Sequence, residues 1–400
     1  MAVMREVVFV DGVRTPFGRA GEKGMYWGTR ADDLAVKALQ GLLERNPALP
    51  LDRVDDVGIA ATTQQGDQGL TLGRSVAILA GLPLSVPGYA LDRMCAGAMT
   101  TAAMMGGAIG AGQYDIAIAG GVEHMGRHPL GIGADPNPRF VAEKMVSAEA
   151  LNMGLTAERL HDRFPELTKE RADRFGMLSQ HKAQAAYDRG DFQPDLIPVA
   201  TRNADGWGLA TEDEGRRPQT TMEGLAALKT PFRPHGRVTA GTASPLTDGA
   251  TMSLLAGGDT ARELGLQAKM RMIGFAFAGV EPEVMGLGPV PSTEKALKRA
   301  GLSIEDIGLF ELNEAFAVQV LSFMDAFGIA DDDARVNPWG GAIALGHPLA
   351  ASGVRLMIQL ARQFEQRPDV RYGLTAMCVG LGQGGTMIWE NPHFDGKKGK

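Results

Sequence analysis

Two cysteines and a histidine sit where their surroundings would make them reactive. Cys95, in Asp92-Arg93-Met94-Cys95-Ala96-Gly97-Ala98, opens a run of small residues that reads as a helix. A helix N-terminus offers free N–H groups and partial positive charge, and both favour a thiolate. Cys95 is therefore expected to have a lowered pKa and to act as a nucleophile. Taken alone, it reads more readily as a small buried hydrophobe. His347 closes Asn337-Pro338-Trp339-Gly340-Gly341-Ala342-Ile343-Ala344-Leu345-Gly346-His347-Pro348-Leu349. Pro348 suits a first helical position, which puts His347 at the cap, where the imidazolium is disfavoured. A neutral ring can accept a proton or donate to a developing oxyanion; the plainer reading is a histidine that only caps a helix. Cys378, in Met377-Cys378-Val379-Gly380-Leu381-Gly382-Gln383-Gly384-Gly385, ends a strand and enters a glycine-rich turn. Such a turn can aim backbone N–H groups at one point, and the thiol could move a proton at a carbon acid. A structural cysteine before a tight hairpin is the alternative. Asn313, in Glu311-Leu312-Asn313-Glu314-Ala315-Phe316, could orient a water or a substrate oxygen, or cap the helix that follows.

The elements that would carry these groups show a repeat. A helix is predicted around Asp32–Glu44, with Leu34, Ala38, Leu39 and Leu42 on one face. It is followed by Val54-Asp55-Asp56-Val57-Gly58-Ile59, running into a strand. A second helix is predicted around Ser292–Ala300, closed by Gly301, and is followed by Ile304-Glu305-Asp306-Ile307-Gly308-Leu309. The two six-residue stretches match in residue type and are offset by 250 residues, from Val54 to Ile304. Cys95 and His347 are 252 residues apart, and each precedes a helix and then a short apolar strand, Ile116–Ala119 and Leu374–Met377. This pattern implies an internal duplication of an alternating α/β unit, covering roughly 5–125 and 268–390. The stretch between is more polar and richer in proline and charge, and reads as an inserted lobe.

The totals exclude several classes. A formal net charge of -7 argues against a general nucleic-acid surface. Two cysteines make neither a disulfide scaffold nor a zinc cluster, though they could form one disulfide, and no metal-ligand spacing is evident. Cys95 to Gln113 carries no charge and is long enough to span a bilayer, but its Ala, Gly, Met and Thr suit a buried helix better. No charged and apolar leader precedes the first strand, Glu6-Val7-Val8-Phe9-Val10, and the last residues read as a solvated tail and no peroxisomal address. A cytoplasmic protein is expected.

Together, Arg93-Met94-Cys95, Gly120-Gly121-Val122-Glu123-His124-Met125, Asn313-Glu314-Ala315-Phe316, Gly340 to Pro348 and Cys378-Val379-Gly380 resemble the thiolases, most of all the bacterial degradative 3-ketoacyl-CoA thiolases. The resemblance runs from about Val7 to Glu390. It implies an α/β thiolase fold: two duplicated βαβαβαββ core halves in a layered α/β/α/β/α arrangement with an inserted loop domain. The expected division is 1–122 with 247–267 as the first half, 123–246 as the insert, 268–393 as the second half and 394–400 as a tail. It implies Cys95 as the acylated nucleophile, His347 as its base and Cys378 as the acid/base at the acetyl carbon. His347 with a water held by Asn313 would form one oxyanion hole, and the N–H groups of Cys95 and Gly380 the other. Coenzyme A, a co-substrate and no tightly bound cofactor, would lie on the insert, near Arg217, Phe232, Ser244, Met153, Met285 and Phe316. Without the resemblance, Arg216, Arg217, Lys229 and Arg233 are an exposed basic cluster. The implied substrates are 3-ketoacyl-CoA and CoA, the implied assembly is a homodimer or homotetramer, and a hydratase/dehydrogenase subunit is a possible partner. A biosynthetic thiolase shares the same groups; a ketoacyl synthase or a non-catalytic acyl-CoA carrier on this fold fits less well. Five positions depart from the usual pattern: Gly97-Ala98 for Ser-Gly, Trp339 for asparagine, Thr242 for asparagine (some degradative members also carry threonine there), and Ala350 for glycine.

Overall fold

The structure, a computed structural model, describes residues 5–203 and 206–396. The last four residues of the expected 394–400 tail lie outside them. Twelve strands are present among the described residues: β1 (Val7–Arg14), β2 (Gly18–Arg19), β3 (Asp56–Ala60), β4 (Gly88–Leu91), β5 (Ile116–His124), β6 (Val199–Asn203), β7 (Gly206–Ala210), β8 (Thr247–Gly257), β9 (Met270–Gly279), β10 (Ile307–Leu312), β11 (Tyr372–Val379) and β12 (Gln383–Glu390). β6 and β7 form a separate hairpin; the others build one sheet in the order β10-β11-β12-β9-β1-β8-β5-β3-β4, with β2 on β8.

That order is a palindrome of the repeat. β5 lies parallel to β3 and antiparallel to β8, and β8 pairs with β1. In the same way, β11 lies parallel to β10 and antiparallel to β12, and β12 pairs with β9. The halves meet where β1 and β9 share only two residue pairs, Val8↔Arg271 and Phe9↔Met270. The counterpart of β4 in the second half is reduced to a single bridge, Phe310↔Val336.

Three apolar cores stack the layers. The helix predicted around 32–44 spans Ala31–Arg45 and buries Leu34, Ala38, Leu39 and Leu42 against one face of the first-half strands. Each of these leucines contributes roughly 1.5–3 kcal/mol on burial. β5 alternates accordingly: Ile116, Ile118 and Val122 face that outer core, whereas Ala117 and Ala119 face a central one. The central core is built on the helices Gly97–Gly110 and Ser352–Gln366 with strand residues from both halves. Alanines and glycines suit this layer because the two helices nearly touch: a Cβ on Gly353 would lie 2.4 Å from the Met99 nitrogen. A third core packs the helices Pro289–Ala300 and Ala317–Ala326 on the outer face of the second half, together with part of the segment 153–238. Helix, sheet half, central helices, sheet half, helix is the expected layering, with the sheet continuous across its centre. Gly301 closes the Pro289–Ala300 helix at φ +67, a conformation that glycine adopts without strain. Among the described residues no helix is long and apolar enough to cross a membrane; the uncharged segment after Cys95 is the buried Gly97–Gly110 helix.

Candidate active site

The two halves present their reactive residues to one another through matching turns. Cys95 sits in a short 3-10 turn, Met94–Ala96, that runs directly into the Gly97–Gly110 helix. Met94 is held at φ +43, an uncommon conformation for a side-chain-bearing residue, and its N–H donates to the Asp92 carboxylate at 2.6 Å. Cys95 keeps a partial opening to solvent and is a free thiol, as is buried Cys378, so no disulfide joins them. The expected lowering of its pKa is overturned. Burial pushes the Cys95 thiol up to about 12, and the N–H groups of Gly380 and of Cys95 itself, both directed at the sulfur, offset only part of this. One turn of helix cannot outweigh the loss of water around a thiolate. Burial also holds the Cys378 thiol well above its ordinary range, and next comes the charge that Cys95 would carry, so the two sulfurs lie within electrostatic reach of each other.

His347 is 3% exposed, and its position differs from the expected cap. Pro348 is extended (φ -65, ψ 110), a 3-10 turn covers Leu349–Ala351, and the helix begins only at Ser352. The ring is neutral for another reason: burial first, and then the Arg355 guanidinium, push its pKa down to about 3. The Asn313 amide nitrogen lies 3.2 Å from its Nε2 and 3.5 Å from its Nδ1, Nδ1 lies 2.5 Å from the Ser352 hydroxyl, and the His347 backbone N–H donates to the Thr247 hydroxyl at 3.1 Å. Asn313 is not a helix cap. The helix starts at Ala317, behind Phe316, which makes no side-chain cap. Asn313 instead lies between His347 and Arg355, which donates to its oxygen at 3.0 Å. No direct hydrogen bond joins Cys95 to His347 among the described residues; their turns pack together, and a Cβ on Gly97 would sit 3.1 Å from that of Ala350.

Several supporting residues escaped the sequence reading. Glu123, at the end of β5, is buried and accepts from the backbone N–H groups of Thr62 and Ala350, both at 3.1 Å, and from the Gln68 amide at 3.0 Å. It thereby ties the His347 turn to the first half. Burial raises its pKa, against the hydrogen bonds from Thr62. Buried Glu314 accepts from Ser179 (2.6 Å), Asn337 (2.8 Å) and the Ile343 N–H (3.1 Å), joining the helix Lys169–Arg189 to the loop before His347. Arg355 had a readable signal: it is the one charge in Gly353-Val354-Arg355-Leu356-Met357, on a stretch otherwise fit for a core.

The residues expected around a CoA chain fall into two groups. Met153, Phe232, Met285 and Phe316 share one apolar cluster with Cys378; the Phe232 and Phe316 rings meet edge to face at 6.4 Å, and the Met153 sulfur lies 3.6 Å from where a Cβ on Gly380 would be. Ser244 is fixed beside them by its N–H, which donates to the Ala315 carbonyl at 3.0 Å. Arg217 lies apart, exposed, on a surface cleft of about 430 Å³ with Thr220, Leu225, Gly241 and Pro245. The basic cluster is less free than its sequence suggests. Arg216 stacks on Tyr187 and pairs with Glu212, and Arg233 grips Asp162 through two 2.7 Å bonds. The side chains of Arg217 and Lys229 have no ion-pair partner among the described residues.

Comparison with known proteins agrees with this arrangement. The chain matches the thiolase N-terminal domain over residues 7–259 and the thiolase C-terminal domain over 266–391. It is 44% identical over 390 residues to a 3-ketoacyl-CoA thiolase of Idiomarina loihiensis, covering 97% of this chain and 100% of that one. A Vibrio vulnificus 3-ketoacyl-CoA thiolase is 43% identical over 392 residues, with 97% and 100% covered. Human mitochondrial 3-ketoacyl-CoA thiolase superposes with a TM-score of 0.87 at 31% identity, and Bacillus anthracis acetyl-CoA acetyltransferase with 0.87 at 32%; each comparison covers 98% of this chain and 100% of the other. With two domain matches spanning nearly its whole length and relatives this similar, the chain belongs to the thiolase family.

Proposed function

We propose that this protein is a 3-ketoacyl-CoA thiolase, an acyltransferase that cleaves 3-ketoacyl-CoA with coenzyme A in fatty-acid degradation. The observation that supports the reading is that the Cys95 turn packs against the turn after His347 and against the strand of Cys378, with Met94 beside Gly380, so that groups from both halves of the chain come together. Sγ of Cys95 attacks C3 of the substrate as His347 takes the thiol proton at Nε2. The C2–C3 electron pair passes to C2, and the resulting enolate accepts the Cys378 proton at carbon, so acetyl-CoA leaves. The oxygen charge of that enolate needs fixed donors, which His347 with an Asn313-held water supplies; the Cys95 and Gly380 N–H groups serve the acyl oxygen. The Cys378 thiolate then takes the proton of an incoming CoA thiol, whose sulfur attacks the acyl-Cys95 thioester. Cys95 leaves as a thiolate and recovers its proton from His347.

The insert, 123–246, is assigned to CoA: Arg217 to the nucleotide end, and Ser244, Phe232, Phe316, Met153 and Met285 along the thiol arm. The core halves are 1–122 with 247–267, and 268–393. A cytoplasmic homodimer or homotetramer is proposed. The association of copies is supported by the part-exposed edge strand β4 and by exposed Leu84 just before it in the chain.

Cys95→Ser is expected to abolish thiolysis and Cys378→Ala to lower it about 10²-fold or more, read by loss of ketoacyl-CoA absorbance. Mass spectrometry of wild-type protein mixed with 3-ketoacyl-CoA should show an acyl adduct on Cys95; its absence would favour a carrier. The likeness to an acetyl-CoA acetyltransferase supports a second reading, acetyl-CoA condensation. A chain-length profile of CoA-dependent cleavage separates the two.

A further inference from the structure

The surface cleft that holds Arg217 carries a charge opposite to that of the chain. The sequence has 47 acidic residues against 40 lysines and arginines. Among the described residues, those that line this cleft of about 430 Å³ include two arginines, Arg19 and Arg217, and no aspartate or glutamate. Neither guanidinium has an ion-pair or hydrogen-bond partner among the described residues. Arg216, next in the chain, is by contrast taken up by Glu212 and Tyr187. A carboxylate does stand close to Arg19, but it is turned to the backbone: Glu214 accepts from the N–H groups of Arg19 at 2.8 Å and of Met25 at 3.2 Å. Two uncompensated cations on one concave surface raise the local concentration of anions.

The two arginines come from different parts of the chain. Arg19 belongs to the first core half, where β2 pairs it with Thr247 and the Ala20 N–H donates to the Leu246 carbonyl at 3.0 Å. Arg217 belongs to the insert, and its backbone N–H donates to the Gln180 side chain at 2.7 Å. The cleft also adjoins the path expected for a thiol arm. Ala243 packs on the apolar cluster of Phe232 and Phe316, and two residues on, Pro245 and Leu246 line the cleft. Leu225, Leu228 and Leu246 give it apolar wall, and Leu246 is 59% exposed. Cations beside apolar wall suit a ligand that is part anion and part flat base. We propose that Arg19 binds a phosphate at the nucleotide end of coenzyme A, adding a contact from the core half to the one Arg217 supplies from the insert. Coenzyme A offers a diphosphate and a ribose 3′-phosphate, and a free guanidinium can grip either through two parallel hydrogen bonds.

The identity of the ligand rests on the thiolase reading, so the test has one arm that needs turnover and one that does not. In steady-state thiolysis, CoA, dephospho-CoA and pantetheine are compared as acyl acceptors. Arg19→Gln, at an exposed side chain, should raise KM for CoA about three- to tenfold with kcat within about twofold, and leave thiolysis by pantetheine unchanged. Arg19→Lys keeps the charge but loses the fork, and should recover part of the loss. Arg139→Gln removes the same charge from an exposed pair with Glu143 outside the cleft and should leave KM for CoA as it is. A loss that persists with dephospho-CoA places Arg19 on the diphosphate, and a loss confined to CoA places it on the 3′-phosphate; either supports the proposal. No change with CoA, or an equal change with CoA and pantetheine, would overturn it. In the second arm, adenosine 3′,5′-bisphosphate is titrated into the full-length protein by calorimetry, and Arg19→Gln should weaken its binding by a similar factor. Binding that depends on Arg19 in a wild type without thiolysis would sink the functional reading and leave the phosphate contact standing, whereas binding indifferent to Arg19 would sink the contact alone.

Discussion

At His347 the lowered pKa has a thermodynamic counterpart. In the unfolded chain a histidine titrates near 6.5; in the fold, burial and then Arg355 delay this to about 3. Between those values the unfolded chain binds a proton that the folded one does not. The contribution to stability is therefore complete above about pH 6.5 and is lost as the pH falls toward 3. Buried Asp248 works in the opposite sense. Its pKa rises from 3.8 to about 7 by burial, so its contribution is complete below about 3.8 and is lost as the pH climbs to 7. The two oppose one another between about pH 4 and 6.5. Replacing His347 with asparagine removes one of them. On going from pH 7.5 to 4.5, the change in unfolding free energy should be more favourable in His347→Asn than in wild type by up to about 3 kcal/mol, measured by denaturant titration. An unchanged pH dependence would contradict a buried neutral ring. The raised Cys378 pKa suits its proposed task, since a thiol that protonates carbon must hold its proton at neutral pH.

Between elements, two of the departures from the family pattern, Gly97 and Ala350, lie against each other. A Cβ at position 97 would lie 2.6 Å from the Ala60 Cβ and 3.1 Å from that of Ala350. Glycine at 97 thus makes room for the methyl at 350, where glycine is usual. Gly97→Ser should cost about 1–3 kcal/mol by overpacking, and adding Ala350→Gly should return part of it; a denaturant double-mutant cycle reads the coupling. Additive effects would mean that the two turns do not press on each other. The same scale shows what the residues announced and what they withheld. The Ala31–Arg45 helix and the matched stretches at 54 and 304 were legible, because periodicity and repetition are local signals. The place of His347 was misread because proline fits an extended entry as well as a helical first turn, and only the fold inserts Leu349–Ala351 between them. Glu123 was quoted for its motif without a role, since an acid in a strand declares itself only when three partners from distant segments close around it.

For the molecule as a whole, the proposed division puts recognition on the insert and chemistry between the core halves. Arg217 lines a surface cleft that includes neither thiol, whereas Met153 and Phe316 belong to the apolar cluster of Cys378. Arg217→Ala should therefore raise KM for CoA about tenfold and leave kcat within about twofold, measured in steady state with CoA varied. A matching fall in kcat would place the arginine in the reacting step. The long-range architecture was readable as a duplication, but the seam of two residue pairs at β1 and β9 was not, because no composition marks it. β8 fills the gap between β1 and β5, and its register joins Val7 to Gly257. During synthesis, then, the first half cannot close its sheet when its own early strands have left the ribosome. It must wait, with β1 and β5 both missing a neighbour, until the whole intervening segment and then residue 257 have emerged. A nascent chain stalled near residue 240 should be protease-sensitive across β1 and β5, and one stalled well beyond 257 protected.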